Sequence, residues 1–165
     1  MPLDLDGPSV AFTPFDPSWV ERPALELFAK AASTFADRVA CEDAAGQLTY
    51  GEIWRACCRL AARIEAAVPP GRAVGVLLPN EAAYPVAVLA CLAAARPCIM
   101  IDRHHPPDRV AAIVRDAGLG AAIMRQDEID RGLLLPAGTA VIALDEALAG
   151  ALEGAAGKAV GHDGH

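Results

Sequence analysis

The sequence predicts an α/β fold: a doubly wound, Rossmann-like parallel sheet flanked by helices, with a small N-terminal β-hairpin before it. Three observations carry this reading. Four short apolar runs, AVGVLL (73–78), PCIMI (97–101), AAIM (121–124) and AVIAL (140–144), are separated by stretches of helical period. Continuous apolar strands suit burial on both faces, and strands alternating with helices imply a parallel sheet joined by right-handed crossovers. A chain of 165 residues, 54% apolar and 21% charged, is long enough to bury such a core in one domain.

Residues 1–22 are rich in proline and lack a period, so they read as an extended arm. A helix is expected over 23–36, with Pro23 in its first turn and Leu25, Phe28, Ala32 and Phe35 on one face. VACED (39–43) and QLTY (47–50) alternate in polarity across a short AAG link and read as a hairpin.

The stretch LTYGEI (48–53) reads as a helix start. Thr49 can accept from the backbone N–H of Glu52, and Glu52 can reach back to the N–H of Thr49, which is a capping box. Leu48 before the cap and Ile53 after it are spaced as a hydrophobic staple. Ile53, Cys57, Leu60, Ile64 and Val68 then form the core face, and PPG (69–71) stops the helix.

Asn80 is placed to cap the helix after the first apolar strand, which runs to about residue 95. Pro85 lies too deep for that start, so the helix begins nearer Tyr84 or kinks at the proline. Pro106 opens the next helix, with Val110, Ile113, Val114 and Ala117 on one face and Gly118 ending it. A weak helix over 127–134 and a short one after Asp145 complete the series. Residues 23–150 thus form the α/β unit, and 151–165, dominated by glycine and alanine, read as a flexible tail.

Net charge is −7, which disfavours nucleic acid and anionic membranes as partners because both demand basic patches. No apolar run approaches the ~18 residues of a membrane span. The acidic start MPLDLDGPSV lacks the pattern of an export signal, so the cytoplasm is the expected compartment. The five cysteines, Cys41, Cys57, Cys58, Cys91 and Cys98, show no CxxC spacing and read as reduced thiols.

Chemistry is sparse. GAAGKAVG (154–161) has glycines and Lys158 but lacks the spacing and following helix of a phosphate loop. His104 and His105 are adjacent and cannot converge on one metal from a helix face, while His162 and His165 fall in the tail. Asp102, with Arg103 beside it and Asp108 and Arg109 beyond, follows a buried strand at the carboxyl end of the sheet. It serves either a loop network that holds the next helix start or a ligand. No catalytic, cofactor-binding or metal-binding residue is assigned.

Five segments in order, over about residues 15–150, resemble the adenylate-forming (AMP-binding) superfamily. They are ELFAKAASTFADRVACED (26–43), LTYGEIWRACCRLAARI (48–64), VGVLLPN (74–80), LACLAAARPCIMID (89–102) and HHPPDRVAAIVRDAG (104–118). That superfamily includes peptide synthetase adenylation domains, acyl-CoA synthetases and luciferases. Where it usually shows LKAGAAYVPLD, this chain has LAAARPCIMID: Ala93 replaces the lysine, Ala95 the glycine, Cys98 the aromatic and Met100 the proline. HHPPDR and FDPSWVERP (15–23) look more like peptide synthetase adenylation domains than CoA ligases.

The resemblance implies a parent enzyme that uses ATP and Mg²⁺ to convert an amino acid or other carboxylate into acyl-AMP. The acyl group then passes to a phosphopantetheine or CoA thiol. The family's phosphate loop, ribose-binding aspartate and catalytic lysine match no position here, so the chain is expected to be an inactive N-terminal portion. Its expected partners are the remainder of the adenylation domain and a carrier protein or CoA. Self-association through exposed apolar surface is also anticipated. An acyl- or aryl-CoA ligase fragment and a standalone non-catalytic binding module of the same fold are the alternatives.

Overall fold

The computed structural model describes residues 16–130, 135–145 and 148. Pro17–Glu21 forms a 3₁₀ helix, so this part of the arm is wound and not extended. Asp16 caps it by accepting from the Ser18 amide at 2.9 Å. Helix α1 (Ala24–Thr34) follows, and Pro23 stands just before it as the cap residue. Strands β1 (Val39–Asp43) and β2 (Gly46–Thr49) pair antiparallel as the expected hairpin.

Helix α2 (Tyr50–Ala67) begins as the sequence predicts. Thr49 Oγ1 accepts from the Glu52 amide at 3.2 Å, and Glu52 Oε2 accepts from the Thr49 amide at 2.8 Å. Leu48 and Ile53 are both buried in one core cluster, as a staple requires. Ile53, Cys57, Leu60, Ile64 and Val68 are each at most 1% exposed, so the whole predicted face is core.

Four parallel strands, β3 (Ala73–Leu77), β4 (Cys98–Met100), β5 (Leu119–Met124) and β6 (Ala140–Ala143), lie in the order β4-β3-β5-β6. Helices α3 (Tyr84–Ala93) and α4 (Pro107–Asp116) link successive strands. The short α5 (Gln126–Asp130) follows β5. Every residue of β3 and β5 is buried, because helices cover both faces. Val74, Val76 and Ile123 join the cluster beneath α2 and α3, whereas Leu77, Leu119 and Met124 join the one beneath α4. That alternation is the period of two expected of strands, and it divides the core into two layers.

Two further local expectations change. Asn80 does not cap α3; of the two readings of Pro85, the start at Tyr84 is the one found, with Pro85 in the first turn. A proline lacks the N–H that an interior helical position must donate, so the start moves to where its absence costs nothing. PCIMI is an edge strand with Met100 67% exposed, not a strand buried on both faces. The helix expected over 127–134 is described over Gln126–Asp130, and 131–134 lie outside the described residues. So do most of the segment after Asp145 and all of 151–165.

Candidate functional site

After β3 the chain moves outward to β4, then returns past β3 to lay down β5 on its other side. Neighbouring crossovers therefore diverge above the carboxyl ends of β3 and β5. Open α/β sheets form their ligand crevice at such a reversal of strand order. Here the crevice is occupied by charge. Arg125, directly after β5, donates through Nη2 to Glu81 Oε2 at 2.8 Å and through Nη1 to Asp145 Oδ1. Asp145 Oδ2 also accepts from the Gln126 amide at 2.8 Å.

Asp43, at the end of β1, brings the hairpin to the same edge. Its Oδ2 accepts from the Ala82 amide at 2.7 Å, and its Oδ1 accepts from the amides of Ala45 and Gly46. These bonds, led by that from Ala82, hold its carboxyl below the usual aspartate range. For Asp145, burial pushes upward, but the Gln126 amide and the Arg125 guanidinium outweigh it and the net shift is downward. The hydrogen bond to Glu81, ahead of that to Asp145, pushes the already high Arg125 higher still against the opposing effect of burial. Glu81 Oε1 is buried without a hydrogen-bond partner among the described residues.

Beside this network, at the ends of β3 and β4, lies an open cleft of about 540 Å³ lined by residues that include Asn80, Tyr84, Met100, Asp102 and His104. Asp102 Oδ1 accepts from the His104 amide and faces His104 Nδ1, both at 2.9 Å. Those two bonds, the backbone one first, lower its carboxyl. Arg103 turns away to pair with Glu128 on α5 at 3.1 Å. Of the two roles open for Asp102, the geometry supports the loop network. That network precedes α4 and does not cap it, because the cap residue Pro106 makes no side-chain bond. Asp108 and Arg109 are exposed in the first turn of α4.

Residue-by-residue reading singled out Asp102 and missed Arg125, Glu81, Asp145 and Asp43. One signal was present: Asp43 ends an alternating strand, and Arg125 and Asp145 follow apolar strands within a residue or two, at the edge where ligands and crossover loops gather. In this network Arg125 is already matched by two carboxylates. Among the described residues no group of three His, Cys, Asp or Glu could hold a metal. The glycine-rich segment 154–161 and His162 and His165 lie outside the described residues. The edge as described orders loops around a crevice; it does not present a nucleophile beside a base.

The described residues form an open α/β layer with an ordered carboxyl edge, and comparison with known proteins makes the class specific. The family model described as AMP-binding enzyme matches residues 28–162, and the chain belongs to that family. Syringomycin synthase SyrB1 of Pseudomonas syringae is 34% identical over 99 residues, covering 59% of this chain and 16% of that protein. The D-alanine–D-alanyl carrier protein ligase of Bacillus licheniformis is 34% identical over 94 residues, covering 56% of this chain and 19% of its own length. Among solved structures, the AMPPNP-bound form of the nonribosomal peptide synthetase FmoA3 superposes with a TM-score of 0.69. It is 32% identical over 75% of this chain and 13% of that one. The described fold is that of the N-terminal subdomain of adenylate-forming enzymes, and the chain spans less than a fifth of the length of these relatives. Among the described residues no helix is long and apolar enough to cross a membrane.

Proposed function

We propose that this chain is the N-terminal scaffold of a carboxylate-activating enzyme of the peptide synthetase kind. The parent uses ATP and Mg²⁺ to form acyl-AMP from an amino acid or other carboxylate, then transfers the acyl group to a carrier-bound phosphopantetheine or to CoA. The observation that carries this is the joint agreement of sequence and fold with a synthetase solved with an ATP analogue. The capping box, the strand order and the Arg125 network give the chain its part in that chemistry. They fix the carboxyl edge against which the remainder of the adenylation domain assembles. Exposed Leu92, Met100 and Val141 on α3 and the two edge strands support a docking role.

On this reading residues 1–165 neither bind Mg·ATP tightly nor exchange pyrophosphate. Calorimetry with Mg·ATP and pyrophosphate exchange with a panel of amino acids test that; saturable binding by this chain alone would overturn it. The reading frame beyond the codon for His165 tests the parent. A Ser/Thr/Gly-rich loop ending in lysine supports it, and an immediate stop codon favours a standalone binding module of the same fold.

A further inference from the structure

Helix α1 carries two apolar stripes where a single core needs one. Ala32 is buried, and Leu25 and Phe28 pack against the core cluster on the same side. Leu27 and Ala31, one turn apart, lie on a different stripe and join neither core cluster. Trp19 of the 3₁₀ helix lies along this second stripe. Together they bound an open apolar groove of about 370 Å³ lined by Trp19, Leu27, Lys30, Ala31, Thr34 and Phe35. Phe35, expected on the core face, is 38% exposed at the end of the groove. Among the described residues no carboxylate lines it. The cations beside it sit over rings: Lys30 Nζ is 5.0 Å from the Trp19 centroid and the Arg38 guanidinium 4.4 Å from that of Phe35.

Through Trp19 the arm already folds onto this face, and Asp16 stands at its rim. The Asp16 carboxyl is lowered chiefly by the Ser18 amide, and Arg22 and Lys30 add to the effect. Residues 1–15, MPLDLDGPSVAFTPF, lie outside the described residues and join directly to Asp16. Their chemistry matches the groove: Leu3, Leu5, Val10, Phe12 and Phe15 are apolar, Asp4 and Asp6 are acidic, and no Lys or Arg occurs. Pro14 biases Thr13 towards extended backbone, and in an extended chain Val10 and Phe12 point to one side. Seven extended residues reach about 23 Å. Helix α1, with 11 residues, is about 16 Å long, so residues 9–15 can span the groove. Held on so short a tether, the segment meets the groove at a millimolar effective concentration, an advantage that no free partner has.

We infer that the groove between the 3₁₀ helix and α1 is the docking site of residues 9–15 of the same chain, with Phe12 as the apolar anchor. The docked segment closes the outer face of α1 within one molecule. The remainder of the parent enzyme is left the carboxyl edge and the exposed sheet edges, not this face. The assignment rests on α1 and the arm alone, so it stands or falls apart from the proposed enzymatic function.

A photo-cross-linker tests the placement in the full chain. With p-benzoylphenylalanine in place of Phe12, irradiation should join residue 12 to Leu27, Ala31, Thr34 or Phe35 within a single molecule. Trypsin resolves the product. Arg22 precedes Pro23 and resists cleavage, so residues 1–30 and 31–38 are separate peptides that a link to Ala31, Thr34 or Phe35 unites. A link found only outside these α1 and cap residues would place the segment elsewhere and overturn the inference. A link only between two molecules, seen as a dimer band, would give the groove to a second copy and overturn it too, as would no link at all. Ala31→Glu puts a charge in the groove at a position off the core stripe. The cross-link should be lost there while the far-ultraviolet spectrum stays that of the parent chain, and its retention would count against the inference. Should that variant unfold, Thr34→Glu at an exposed position of the same groove gives the same reading.

Discussion

The guanidinium of Arg125 donates to the Glu81 carboxylate at 2.8 Å, joining the residue that follows β5 to the loop that follows β3. With Asp145 on its other side, Arg125 ties together the segments that follow β3, β5 and β6, at the point where the strand order reverses. The side chains are 25%, 13% and 40% exposed for Arg125, Glu81 and Asp145, so the network is partly screened by water.

Arg125→Met therefore leaves two carboxylates facing each other without a cation. Breaking a fully buried pair costs about 3–5 kcal/mol, and partial exposure brings the expected loss here to about 2 kcal/mol. Urea denaturation should show a lowered midpoint with unchanged slope. A midpoint equal to that of the parent chain would mean the network does not stabilise the edge.

Thr49→Ala removes the acceptor that satisfies the Glu52 amide and is expected to cost about 1 kcal/mol. Thr49→Ser should restore most of the loss, because the hydroxyl and not the methyl makes the bond. Equal loss in both variants would assign the effect to packing.

Ala95 has φ +51°, in the left-handed region, and it is the only non-glycine residue there among the described residues. It stands where the family usually has glycine. An L-residue with a Cβ pays roughly 1–2 kcal/mol in that conformation, which glycine avoids at some cost in unfolded-chain entropy. Arg96 partly offsets the strain by donating to the Ala94 carbonyl at 2.7 Å and the Val68 carbonyl at 3.0 Å. Ala95→Gly should raise stability by about 0.5–1 kcal/mol, seen as a higher thermal midpoint; a lower midpoint would contradict the strain.

Asp43 and Asp145 are both held below the ordinary carboxylate range, the first chiefly by the Ala82 amide and the second by the Gln126 amide and Arg125. A lowered folded pKa means the unfolded chain binds protons first as pH falls. Their contribution is thus complete above the unfolded value of about 3.9 and is lost as pH drops through the folded values. Stability should be flat through neutral pH and fall below about pH 4, more shallowly in Asp43→Asn and Asp145→Asn. An unchanged acid limb in both variants would place the titrating groups elsewhere.

Much of the fold was legible residue by residue. The face Ile53, Cys57, Leu60, Ile64 and Val68 was readable because helical period and a local capping box are properties of neighbouring residues. Buried β3 and β5 were readable because strands covered on both faces have no polar positions. The start of α3 was only half readable: Pro85 excluded one beginning, while Asn80 suggested another that the loop does not use. In the structure the Ala82 amide is instead satisfied by Asp43, 39 residues earlier in the chain.

What the sequence determined by itself is the set of elements, their order and, through five segments in register, membership of the AMP-binding family. Which strand lies at the edge, and which charges meet, only the tertiary structure decided. Arg125 is 44 residues from Glu81 and 20 from Asp145, and no local rule pairs them. They meet because β5 returns to the far side of β3, which sets the ends of β3, β5 and β6 side by side. Strand order is fixed by burial summed over both helical layers, a property of the whole sheet that no single stretch of sequence carries.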